Sequence, residues 1–234
     1  MENKPTTSQD TLNQQSRAKK GFQTVIIGLA ANFYLAVLKT SVGVIGHSPA
    51  LLADGINSTS DVVYSLVVTI FVRIANKPAD KEHPYGHSQL ESIGAVVVGA
   101  FVITTAIAIF WDAVNTVYDL VLGQSSFTGG SLAALAAAVL TVLVKIILSV
   151  YTKNVAEETE NPSVEALASD HRNDVLSALA AVIGITLGRL GYFWVDPLAG
   201  ALVALIILKT GIEILHKSTS DLMDTQPGES LRRQ

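Results

Sequence analysis

The sequence predicts an all-α, polytopic membrane protein with six transmembrane helices and both termini in the cytoplasm. Three observations predict it. Of the 234 residues 49% are hydrophobic and only 15% charged, with a mean hydropathy of +0.42. Apolar stretches long enough to cross a bilayer recur along the chain. Lys and Arg collect on alternate connections between them. The chain has no cysteine, which excludes disulfides and thiolate metal ligands but fixes no compartment. A net charge of −4 without any basic-aromatic stripe excludes nucleic acid as a partner.

The elements follow in order. Residues 1–19 are polar, with no apolar core and no cleavage site, and read as a disordered cytoplasmic tail. Residues 20–217 form a six-helix transmembrane domain. Its spans run from about Gly21 to Gly46, Pro49 to Ala75, Leu90 to Leu122, Ser131 to Val155, Pro162 to Leu190 and Pro197 to Leu215. Residues 218–234 begin a cytosolic segment, whose C-terminal domain is expected to be absent or truncated.

Basic residues orient the bundle. Lys4, Arg17, Lys19 and Lys20 precede span one, and Arg73, Lys77 and Lys81 follow span two. Lys153 follows span four, and Lys217, Arg232 and Arg233 follow span six. Arg189 is the main exception on the opposite side. This asymmetry places both termini in the cytoplasm, in the plasma membrane by expectation. Tyr118, Tyr192 and Trp194 fall near the outer ends, where amphipathic rings belong. Gly184 and Gly188 make a small-xxx-small pair for close helix packing. Lys39 and Lys145 fall inside spans, where they can snorkel or pair with Asp112; spacing selects no partner.

Acidic residues recur where they are costly. In span two, Asp54, Asn57 and Asp61 follow one another at intervals of three and four and share a helix face, with Ser58 and Ser60 pointing elsewhere. In span five, Asp170 and Asp174 share a face, and His171 and Arg172 are rotated off it. Asp54 reads equally well as solvation of the outer helix end. Asp170 precedes the apolar run that begins at Val175. Spans two and five are antiparallel, so their polar faces can meet. Carboxylates held together repel, and a divalent cation or a proton relieves the repulsion. Exchange of one for the other at a single site is the core of an antiport mechanism.

Asn57, Asp61, Asp170 and Asp174 offer oxygen donors only. Zinc favours nitrogen and sulfur, and calcium takes six to eight oxygens. Mn2+ or Fe2+ fits the set best. Between spans two and three, Asp80, His83 and His87 lie close together, with Glu91 one turn after His87, and suit an accessory transition-metal site in the loop. Pro84 and Gly86 fit a bend into span three.

The segments SPALLADGINSTSDV, HPYGHSQLES and ALASDHRNDVLSA, in this order on a six-span frame, resemble the cation diffusion facilitator family over about residues 20 to 225. The resemblance implies a homodimeric divalent cation/proton antiporter. Its transport site falls on Asn57, Asp61, Asp170 and Asp174, and its accessory loop site on Asp80, His83 and His87. Zinc-transporting members carry His at one or both of the positions matched by Asn57 and Asp170. This chain resembles the manganese-exporting branch, with Zn2+ or Cd2+ export as the alternative within the family. Some relatives join subunits through a Lys–Asp pair whose positions match Gln89 and Asp224, which cannot form that ion pair. An intramembrane aspartyl protease is disfavoured because the GxGD motif is missing. A non-transporting metal sensor is a second rival, distinguished by binding without flux.

Overall fold

The computed structural model describes residues 8–75, 87, 89–124, 127 and 129–223. Its six helices are α1 (Ser8–Ile45), α2 (Pro49–Ala75), α3 (Gln89–Val121), α4 (Leu132–Thr159), α5 (Pro162–Arg189) and α6 (Val195–Leu222). Local sequence sets the ends. Pro49 and Pro162 open their helices, where the missing N–H costs nothing. Ser131 caps α4, its side chain accepting the Ala134 N–H at 3.1 Å. Glu160 ends α4 in the left-handed region, its N–H closing on Ala156 O.

Two expectations about the ends are corrected. The segment read as a disordered tail is helical from Ser8, because SQDTLNQQSRAKK holds no Gly or Pro and is rich in good helix formers. At the other end α6 runs to Leu222 rather than Leu215, through a polar stretch that also lacks Gly and Pro.

Five helices are long and apolar enough to cross a membrane by length and composition. The sixth, α5, falls outside that set because Glu165, Asp170, His171, Arg172 and Asp174 crowd its first half. From Val175 onward it is apolar, and it packs against α4, α6 and α2. Large apolar side chains such as Phe33, Val97, Phe101, Ile147 and Leu176 face outward, as a surface solvated by lipid requires. The chain is an integral multi-pass membrane protein.

Packing divides the helices into a four-helix group, α1, α2, α4 and α5, and a tight pair, α3 with α6, which meets the group chiefly through α2 and α5. The interior is built from small residues. Ala50, Ala134, Ala138, Ala181 and Ala199 join α2, α4, α5 and α6. Ala53, Val98, Val102 and Val203 join α2, α3 and α6. Small side chains let backbones approach, which is the main source of helix association when lipid is as apolar as the interface. Gly43 and Gly55 show the limit. A Cβ on Gly43 would lie 2.7 Å from Leu52 N, and one on Gly55 would lie 2.6 Å from Thr40 N. Gly184 packs in the same way against Ala199 and Asp196 of α6, as the small-xxx-small spacing predicts.

Asp196 ties one end of the bundle together. Its Oδ1 accepts from Ser48 Oγ and from the Ala50 N–H, both at 3.0 Å. Ser48 Oγ in turn accepts the Leu51 N–H at 3.2 Å, so the start of α2 is capped from α6. Arg189, the basic exception on this side, donates to Gly130 O at 3.1 Å.

Candidate transport site

The site grows from the α1–α2 hairpin. Because Gly43 and Gly55 bring these helices close, Lys39 reaches across to α2. Its Nζ donates to Ser58 Oγ at 2.7 Å and lies 2.8 Å from Asp54 Oδ2, an ion pair rather than an aligned hydrogen bond. Both side chains are 0% exposed. Asp54 Oδ1 accepts from Ser177 Oγ of α5 at 2.9 Å. A charge buried this deeply persists only when paired and hydrogen-bonded. Asp54 is therefore not helix-end solvation, and Ser58 does not point elsewhere; both face Lys39.

The Ser177–Asp54 hydrogen bond also fixes how α2 and α5 face each other. The helices are antiparallel and rise equally per residue. Three residues down α2 from Asp54 is Asn57, and three back along α5 from Ser177 is Asp174. Seven residues gives Asp61 and Asp170. Steps of three and seven stay on one helix face. The amide and the three carboxylates thus stand at matched depths on facing sides. Asp61 lies within electrostatic reach of Asp174, Asp170, Lys145 and Lys39. Asn57 and Asp61 are half-buried, Asp174 is buried and Asp170 is exposed.

Facing is not yet a closed cage. Among the described residues no three His, Asp or Glu side chains are close enough together to hold an ion. A lysine of α4 already holds one of the carboxylates. Buried Lys145 forms an ion pair with the Asp174 carboxylate. The same Nζ donates to Asn32 Oδ1 of α1 at 2.7 Å. Neither lysine snorkels, and Asp112 is exposed on α3 while both lysines pair elsewhere. His171 is fully buried and faces α1, where a Cβ on Gly28 would lie 3.3 Å from its Nε2. Neither of its ring nitrogens has a hydrogen-bond partner among the described residues.

Sequence reasoning missed Asn32, Ser177 and Asp196 and left the lysines without partners. The available signal was cost: a lysine in TVLVKIILSV must have a counter-charge, and the next helix carries Glu165, Asp170 and Asp174. For the loop, Asp80 and His83 lie outside the described residues. His87 is described and half-buried just before α3. Asp224 also lies outside them.

Comparison with known proteins agrees with this architecture. A family model described as the cation efflux transmembrane domain matches residues 25–223. The manganese efflux system protein MneS of Bacillus subtilis (strain 168) is 29% identical over 213 residues, 91% of this chain and 72% of that protein. MneP of the same organism is 33% identical over 209 residues, covering 86% of this chain and 68% of its own. Metal tolerance protein C1 of Arabidopsis thaliana is 33% identical over 220 residues, covering 90% and 47%. Six helices of this order, facing polar surfaces on α2 and α5, and a match along nearly the whole transmembrane region together place this chain in the cation efflux family of transporters.

Proposed function

We propose that the protein exports Mn2+ from the cytoplasm in exchange for protons, with Asn57, Asp61, Asp170 and Asp174 as the ligands. The observation that carries this reading is the register set by Ser177 and Asp54, which puts the amide and all three carboxylates on facing surfaces of α2 and α5. Asp61 starts about 18 Å along α2 from Pro49, near the middle of a bilayer core about 30 Å thick. Oxygen donors alone favour Mn2+ or Fe2+ over Zn2+. The manganese efflux relatives support the same metal.

Direction and coupling follow from the same surfaces. With the termini cytoplasmic, Asp170 stands exposed toward the inner face, and metal enters past it. Beyond the site the sealed Lys39–Asp54–Ser177 cluster and the Asp196 cap close the outer side. Alternating access opens that side and closes the inner one. Protons from outside then neutralise the carboxylates and release the metal. Asp80, His83 and His87 form the accessory loop site in this reading, and the protein works as a homodimer in the plasma membrane.

The test is flux in proteoliposomes with Mn2+, Zn2+, Fe2+ and Cd2+ in competition and a pH dye inside. Mn2+ uptake should drive proton counterflow, and Asp174→Ala should abolish both while preserving membrane insertion. Wild-type flux through a folded Asp174→Ala protein would refute the site, and metal flux without proton movement would refute the coupling. Preferred transport of Zn2+ or Cd2+ would reassign the substrate, and metal binding without flux would make the protein a sensor.

A further inference from the structure

The two buried lysines are not equivalent. Lys39 and Asp54 are both 0% exposed and sealed on all sides. In the second pair the Lys145 side chain is 1% exposed but Asp174 retains 11%. The Asp174 side chain is therefore not fully sealed, although it is paired with its ammonium.

Four helices converge on that ammonium. Lys145 of α4 holds Asp174 of α5 and Asn32 of α1 directly. Asp61 of α2 and Asp170 of α5 are within its electrostatic reach. An ammonium has three donors and no acceptor, so it gathers oxygens as a metal ion does. Asp61, Asp170, Asp174 and Lys145 together carry a formal charge of −2, which one divalent cation neutralises. A metal that coordinates Asp174 competes with Nζ for the carboxylate, whose Oδ2 now accepts from it. Two positive charges cannot share that carboxylate at contact distance without strong repulsion.

We propose that Lys145 is a tethered competitor for the transported metal: it holds Asp174, is displaced from it when the metal binds, and remains anchored on Asn32. The flexible four-carbon stem permits the swing, and Asn32 keeps the displaced ammonium hydrogen-bonded. The competition holds metal affinity down and speeds release. Lys145 is a positioning residue here, and the inference rests on Asp174 being a metal ligand.

Equilibrium Mn2+ binding to the full chain in nanodiscs, paired with turnover in proteoliposomes, tests it. Lys145→Met and Lys145→Gln should each bind Mn2+ about tenfold more tightly, a typical linkage between competing occupants, while turnover falls. Lys145→Arg should stay near wild-type affinity because it keeps the competing charge. The Gln variant keeps a donor for Asn32, so folding does not depend on the Met variant alone; elution volume and helical circular dichroism verify each. Unchanged or weaker Mn2+ binding in folded Lys145→Met and Lys145→Gln overturns the proposal. Asp174→Asn separates this failure from that of the site. If Asp174→Asn binds Mn2+ like wild type, the ligand assignment falls, and the competition with it.

Discussion

Removing Lys39 should harm this protein more than removing Lys39 and Asp54 together. In Lys39→Met the Asp54 carboxylate loses its counter-charge and keeps only the Ser177 hydroxyl, at 2.9 Å. Breaking a buried ion pair from one side costs about 3–5 kcal/mol, because the remaining charge is left uncompensated. Asp54→Leu strands the ammonium in the same way, with Ser58 as its remaining partner at 2.7 Å. In the double variant no charge remains. What is lost is one hydrogen bond at each of Ser58 and Ser177, about 1 kcal/mol apiece. The coupling between the two sites should therefore reach at least about 3 kcal/mol. For a chain of this size 1 kcal/mol moves the midpoint by about 2–4 °C, so each single variant should melt about 6–20 °C below wild type. The double variant should melt above both. The assay is thermal unfolding of the four proteins in one detergent. Additive losses, with the double variant least stable, would refute the reasoning.

Three further outcomes are expected. Gly43→Ala places a Cβ against the α2 backbone and should cost about 1–3 kcal/mol, while exposed Val44→Ala should be nearly neutral; equal melting of the two would dismiss the close approach of α1 and α2. Asp196→Ala leaves Ser48 and the Ala50 N–H without their acceptor and should cost about 1–3 kcal/mol, whereas Asp196→Asn keeps an acceptor and most of the stability; thermal melts that fail to separate them would show that the cap is not what Asp196 contributes. Asn57→His and Asp170→His should each raise the Zn2+/Mn2+ flux ratio, since imidazole suits zinc better; unchanged ratios in both would remove these residues from the ligand set.

The sequence made the helices and their order legible because an apolar run has few alternatives in a bilayer. The polar faces of α2 and α5 were also readable, since Asp54, Asn57 and Asp61, like Asp170 and Asp174, repeat at helical spacing. The partners of Lys39 and Lys145 were not. Spacing within one helix says nothing about which neighbouring helix comes near, and that depended on Gly43 and Gly55 thinning one interface. Ser177 and Asn32 were invisible for a related reason: a small polar residue on a long helix announces itself only through the charge it meets. The helical start at Ser8 was missed because polarity was read as disorder, although helix propensity does not depend on hydrophobicity.

The pairing of the lysines bears on how the chain is made. A lysine at the centre of an isolated membrane helix costs about 2.5–3.5 kcal/mol to insert. Each buried lysine lies on the first helix of a hairpin, and its aspartate lies on the second. Only Gly46, His47 and Ser48 separate α1 from α2, and only Glu160 and Asn161 separate α4 from α5. The counter-charge thus leaves the ribosome directly behind the lysine that needs it. Lys39 with Asp54, and Lys145 with Asp174, make the hairpin rather than the single helix the unit in which each buried lysine finds its counter-charge.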